Sequence, residues 1–80
     1  MEQNKELIFE IICDDILFPE SVKIYNKSYN TDFEILEFIF DEVTFAKVKV
    51  TKFKPMDIFQ LGYQYGAYTQ HKRDRGEIDW

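Results

Sequence analysis

The side chains that could do chemistry are few and scattered along the chain. One histidine, His71, would have to serve any general base, triad or imidazole metal site. It stands among Gln70, Lys72 and Arg73 near an expected helix end, where a solvated or capping role is ordinary. One cysteine, Cys13, lies in an apolar run, where a buried, inert thiol is expected. A lone cysteine makes neither an intramolecular disulfide nor a cysteine-based zinc site. Acid pairs at Asp14-Asp15 and Asp41-Glu42 could ligate Ca²⁺ or Mg²⁺, but the Asp-x-Asp-x-Asp-Gly spacing of an EF-hand is absent. There is no glycine-rich phosphate loop, Walker motif, Gly-x-Ser-x-Gly or His-Glu-x-x-His. A non-enzyme is expected, with no metal and no cofactor.

What remains is binding chemistry, on three candidate surfaces. The first is acidic: Glu2, Glu6, Glu10 and Asp14, followed by Asp15. On a strand, Glu6, Ile8, Glu10, Ile12 and Asp14 share one face; on a helix, the four acids at i+4 intervals recur at about 6 Å steps. Either way, carboxylates spaced like backbone phosphates can compete for a basic groove that holds nucleic acid by charge. The second surface is basic and aromatic: Phe45, Lys47, Lys49, Thr51 and Phe53 on one side of an expected strand, suited to stacking and phosphate contact with single-stranded nucleic acid. Glu34 is a ready partner for Lys49, and the overall charge of −5 opposes phosphate binding. The third is Gly62, Tyr63 and Gly66, a small-residue face for self-association.

The elements that must position these surfaces follow from periodicity. Leu7–Cys13 is rich in β-branched and aromatic residues and alternates, which favours a strand over the competing helix. Residues 14–21 are expected to be a connection, because Pro19 biases Phe18 away from helix. Ser21–Tyr25 alternates and reads as a second strand, and Asn26–Thr31 as a turn. Phe33–Phe40 and Phe45–Phe53 form a hairpin. With a two-residue turn, Phe33 faces Val50, Ile35 faces Val48, Glu34 faces Lys49 and Phe38 faces Phe45; a four-residue turn shifts the pairing by two residues and leaves each face's membership unchanged. Its core face would be Phe33, Ile35, Ile39, Ala46, Val48 and Val50, with Glu37 a misfit. The rival is a helix over 32–40 opened by Thr31-x-x-Glu34. Lys54-Pro55-Met56-Asp57 opens a helix running to about Arg73, with Ile58, Leu61, Tyr65 and Tyr68 as its inner stripe. Glycine costs about 1 kcal/mol in a helix interior relative to Ala, so Gly62 and Gly66 suggest close packing, by the chain's own sheet or another chain.

The expected architecture is α+β: an antiparallel sheet of three or four strands with one C-terminal helix packed on one face, a two-layer sandwich spanning residues 1–80 as one domain. With 80 residues, 45% apolar and 18% aromatic, the chain can bury one thin core and is not a disordered segment. Residues 1–42 carry eleven acids against three lysines, net −8, while 43–80 carry four acids against seven bases, net +3. Such a dipolar layout often marks a binding surface; the alternative is that oppositely charged neighbours pair across the fold. The acidic start does not resemble a secretory leader, and Glu10, Asp14 and Asp15 interrupt the longest apolar stretch, so a cytoplasmic location without membrane insertion is expected. Nine Ile, eight Lys and eight Phe against two Ala and two Arg point to an A+T-rich genome, as in low-GC bacteria and their phages. The functional expectation is a small, acidic, non-catalytic protein-binding module, an antagonist of the kind carried by phages or mobile elements. It would occupy a basic, nucleic-acid-binding surface of another protein. The alternatives are a homo-oligomeric structural or regulatory module, such as a homodimer, and a single-stranded nucleic-acid binder using the basic strand.

Overall fold

Alternation along residues 7–12 makes the first element. The computed structural model describes residues 6–80, and in it Leu7–Ile12 is strand β1, with Leu7, Phe9 and Ile11 turned inward and Ile8, Glu10 and Ile12 exposed. Helix α1 (Leu17–Tyr29), strands β2 (Glu34–Phe40) and β3 (Thr44–Val50) and helix α2 (Pro55–Asp74) follow. The chain is α+β, with three strands in one open sheet ordered β1-β3-β2 and both pairings antiparallel. The outer strands β1 and β2 therefore run parallel, joined through α1 in a split βαβ unit.

Helix α1 overturns the expected connection at 14–21, the strand at Ser21–Tyr25 and the turn at 26–31. Its buried residues are Leu17, Phe18, Ser21, Val22 and Tyr25, a helical period that the short alternating window conceals. Pro19 does not oppose it. Proline occupies the first turn, where a backbone N–H would have no partner within the helix. The Asp14 carboxylate substitutes for a side-chain cap by accepting from the backbone N–H groups of Ile16, at 2.7 Å, and of Leu17. Asn30, with φ 59°, closes the helix in the left-handed conformation that Asn tolerates. The Asn26 side chain then fixes the turn into β2: its Oδ1 accepts from the Phe33 N–H at 2.9 Å and the Thr31 hydroxyl at 2.8 Å, and its Nδ2 donates to the Phe33 carbonyl at 2.9 Å.

The hairpin forms, and the helix over 32–40 does not. Glu34 pairs with Lys49 and Ile35 with Val48 as expected, but a bulge at Leu36 shifts the rest. Phe38 lies opposite Ala46, not Phe45, and a three-residue loop, 41–43, replaces the two-residue turn. The extra residue exchanges faces along β2. It sends Phe38 to the core and turns Glu37 and Ile39 outward beside Lys47 and Phe45, which removes the Glu37 misfit. Asp32 does not start a helix; its Oδ1 accepts from the N–H groups of Thr51 at 2.9 Å and Lys52 at 2.7 Å, tying the entrance of β2 to the exit of β3.

One core cluster gathers Phe18, Val22 and Tyr25 from α1, Phe33, Ala46, Val48 and Val50 from the sheet side, and Leu61 from α2. Edge-to-face aromatic pairs join Phe18 to Tyr65 at 5.1 Å and Tyr25 to Phe33 at 5.8 Å. Each fully buried Leu, Val or Phe contributes about 1.5–3 kcal/mol. No helix is long and apolar enough to cross a membrane among the described residues.

Candidate protein-binding surfaces

Strand pairing decides how the acidic and basic candidates are displayed. Because β1 and β2 both pair with β3, the outward side chains form three rows: Ile8–Lys49–Glu34, Glu10–Lys47–Glu37 and Ile12–Phe45–Ile39. Glu10 of β1 and the lysines of β3, read as parts of separate surfaces from the sequence, thus lie on one sheet face. Lys47 meets Glu37 and Lys49 meets Glu34, each at 3.7 Å. Exposed pairs of this kind are worth about 0–1 kcal/mol, but they satisfy the lysines locally. Phe53 does not belong to this face; it lies beyond β3 and packs against the core.

The acidic array is also divided. Glu6 and Glu10 are exposed, and Asp15 is exposed in the loop before α1. Asp14 points away from the array: it caps α1 and accepts from the Tyr65 hydroxyl, which in turn accepts from the Asp14 N–H at 2.8 Å. Glu2 lies outside the described residues. Beside Asp14, burial and then the charges of Asp14 and Asp15 push the Cys13 thiol up to about 11, which keeps it protonated and poorly nucleophilic at neutral pH. His71 is exposed in the last turns of α2. Among the described residues, no three His, Cys, Asp or Glu side chains gather closely enough to hold a metal ion.

Helix α2 starts where the Lys54-Pro55 signal predicts. The Asp57 carboxylate accepts from the Lys54 N–H at 2.7 Å, and its other oxygen accepts from the buried Tyr25 hydroxyl at 2.7 Å. Burial, followed by this hydrogen bond, holds the Tyr25 hydroxyl well above the usual tyrosine range. The predicted inner stripe is present. Leu61 is buried, Ile58 and Tyr65 pack against the core, and the half-buried Tyr68 donates to Glu20 at 2.5 Å.

The outer side of α2 differs from expectation. A Cβ built on Gly62 or Gly66 would meet nothing within 4 Å, so neither glycine answers to close packing inside the chain. Met56, Phe59 and Tyr63 lie on the same outward stripe as Gly66, at intervals of three and four residues, and are 63%, 81% and 81% exposed. Between this stripe and α1 runs a groove of about 290 Å³ lined by Tyr25, Tyr29, Gln60, Tyr63, Gln64 and Ala67. Met56 and Phe59 were missed from sequence. Their signal was present, as a second apolar repeat (56, 59, 63) on the side of the helix opposite Leu61.

Neither a family model, nor a curated protein, nor a solved structure matches the chain.

Proposed function

We propose that the chain is a non-catalytic protein-binding module whose contact surface is the outward stripe of α2. One observation carries this reading: Met56, Phe59 and Tyr63 expose large apolar side chains along one helix face while Leu61, on the other face, completes the core. Aromatic side chains in that position are the usual anchors of a protein interface, and soluble chains seldom leave them in water together. The reading includes a two-layer arrangement with α2 across one face of the sheet, supported by Leu61 sharing a core with Ala46, Val48 and Val50, and a cytoplasmic location, supported by the single free thiol. The test is a nuclease-treated affinity capture with the wild type and the F59A/Y63A double variant, both checked for folding by circular dichroism. The wild type should hold one near-stoichiometric protein and the double variant should lose it. Equal capture by both overturns the reading.

A second reading is favoured by a separate observation: Glu6, just before β1, and Glu10 on β1 are both exposed, interleaved with Ile8 and Ile12. In that reading the chain is an antagonist that occupies a basic, nucleic-acid-binding surface of its partner, as a phage or mobile-element inhibitor would. The E6K/E10K double variant, folded, should then lose a partner that F59A/Y63A retains.

A further inference from the structure

We infer that the α2 surface is built to receive an acidic, amphipathic helix of another protein. This rests on the α2 reading above and names the chemistry of its partner. Three observations converge. The first is spacing: positions 56, 59, 63, 66 and 70 follow the three-four repeat by which one helix meets another over about 21 Å, four turns. The second is shape. Gly66, exposed and with open space where a Cβ would stand, allows a close backbone approach, and the adjacent groove of about 290 Å³ gives an apolar anchor a seat beside Tyr63.

The third is charge. Residues 52–80 hold five bases (Lys52, Lys54, Lys72, Arg73, Arg75) against four acids (Asp57, Asp74, Glu77, Asp79), net +1, in a chain whose total is −5; Glu77 pairs with Lys72 at 2.8 Å and with Arg75 at 3.0 Å, which leaves Lys54 and Arg73 to flank the stripe. Lys54 is exposed at the start of the stripe and Arg73 at its end; among the described residues, Arg73 bonds only to the Trp80 carbonyl and the Gln70 side chain, both at 2.8 Å. From Met56 to Gln70 the outward stripe bears no carboxylate, and the acids at its margins are already engaged, Asp57 by Tyr25 and Lys54 and Asp74 by Gln70. A second copy of α2 fits this pattern poorly. Run parallel, it sets Lys54 against Lys54 and Arg73 against Arg73; run antiparallel, it sets Lys54 against Arg73. A helix with carboxylates flanking an apolar stripe meets attraction at both ends.

The probe is a pair of synthetic helical peptides of about 18 residues, long enough to span the stripe. Both carry leucines at three-four spacing; one is flanked by glutamates and the other by lysines. Fluorescence anisotropy should show the acidic peptide binding at least tenfold more tightly, with the gap narrowing as salt rises. F59A/Y63A should weaken it tenfold or more, and K54E/R73E should invert the preference. Equal binding of both peptides, or no binding, overturns the acidic assignment while leaving the capture experiment to judge the α2 reading itself. A dimer in sedimentation that F59A/Y63A dissolves overturns it in favour of a second copy. A single-stranded oligonucleotide that binds this face more tightly than the acidic peptide overturns it in favour of nucleic acid.

Discussion

The two helices divide the work unequally. Helix α1 has 13 residues, of which Leu17, Phe18, Ser21, Val22 and Tyr25 are buried; α2 has 20 residues, of which Leu61 alone is buried. One side of α1 is used up by the core. Helix α2 is longer than its core contact requires, and its surplus surface carries apolar residues where a purely structural helix would be polar. The difference separates residues that hold the fold from residues available for contact.

The comparison can be broken most severely at Phe18. Fully buried and stacked edge-to-face on Tyr65, it should cost about 3–5 kcal/mol on Phe18→Ala, and Leu61→Ala on α2 about 2–5 kcal/mol, both read by denaturant unfolding. Losses below about 1 kcal/mol at both sites would mean that the helices do not share one core. Tyr25→Phe should cost about 1–3 kcal/mol, because it removes the hydroxyl that α1 donates to the Asp57 carboxylate at the start of α2. A neutral effect would show the two helices to be independently anchored.

Asp32 gives a pH test of the sheet side. Burial alone would raise its pKa, but hydrogen bonds from the Thr51 hydroxyl and the Thr51 and Lys52 amides outweigh it and hold the carboxyl below its usual value. A depressed folded pKa means stability that is present above the unfolded value of about 3.9 and lost as pH falls through the folded one. Unfolding midpoints between pH 5 and pH 2 should therefore fall less steeply in Asp32→Asn, which should already be weaker at pH 7. Identical slopes would remove Asp32 from the acid response. The smallest effect belongs to Phe59→Ala, which should change stability by no more than about 0.5 kcal/mol. A larger loss would make the outward stripe structural and erase the contrast with α1.

Strand β1, the hairpin and the start of α2 were legible because each announces itself locally, by alternation, by cross-strand matching such as Glu34 with Lys49, and by Lys54-Pro55-x-Asp57. Of the proposed α2 stripe, Tyr63 and Gly66 were singled out from the sequence and Met56 and Phe59 were not, because the stripe nearer the expected core drew the reading. Helix α1 was not legible. Within Ser21–Tyr25, Val22 and Ile24 alternate as in a strand, and only burial shows that Ile24 is outside while Val22 and Tyr25 are inside.

Amino-acid order alone thus determined which segments extend, where α2 begins and that the charge is dipolar, since these depend on neighbours within a few residues. Tertiary structure alone decided the rest. It set the bulge at Leu36 that turns Glu37 outward, the pairing that brings Glu10 of β1 and the β3 lysines onto one face, and the diversion of Asp14 to Tyr65, 51 residues away. Each depends on contacts between residues distant in sequence, whose geometry exists only once the core has closed.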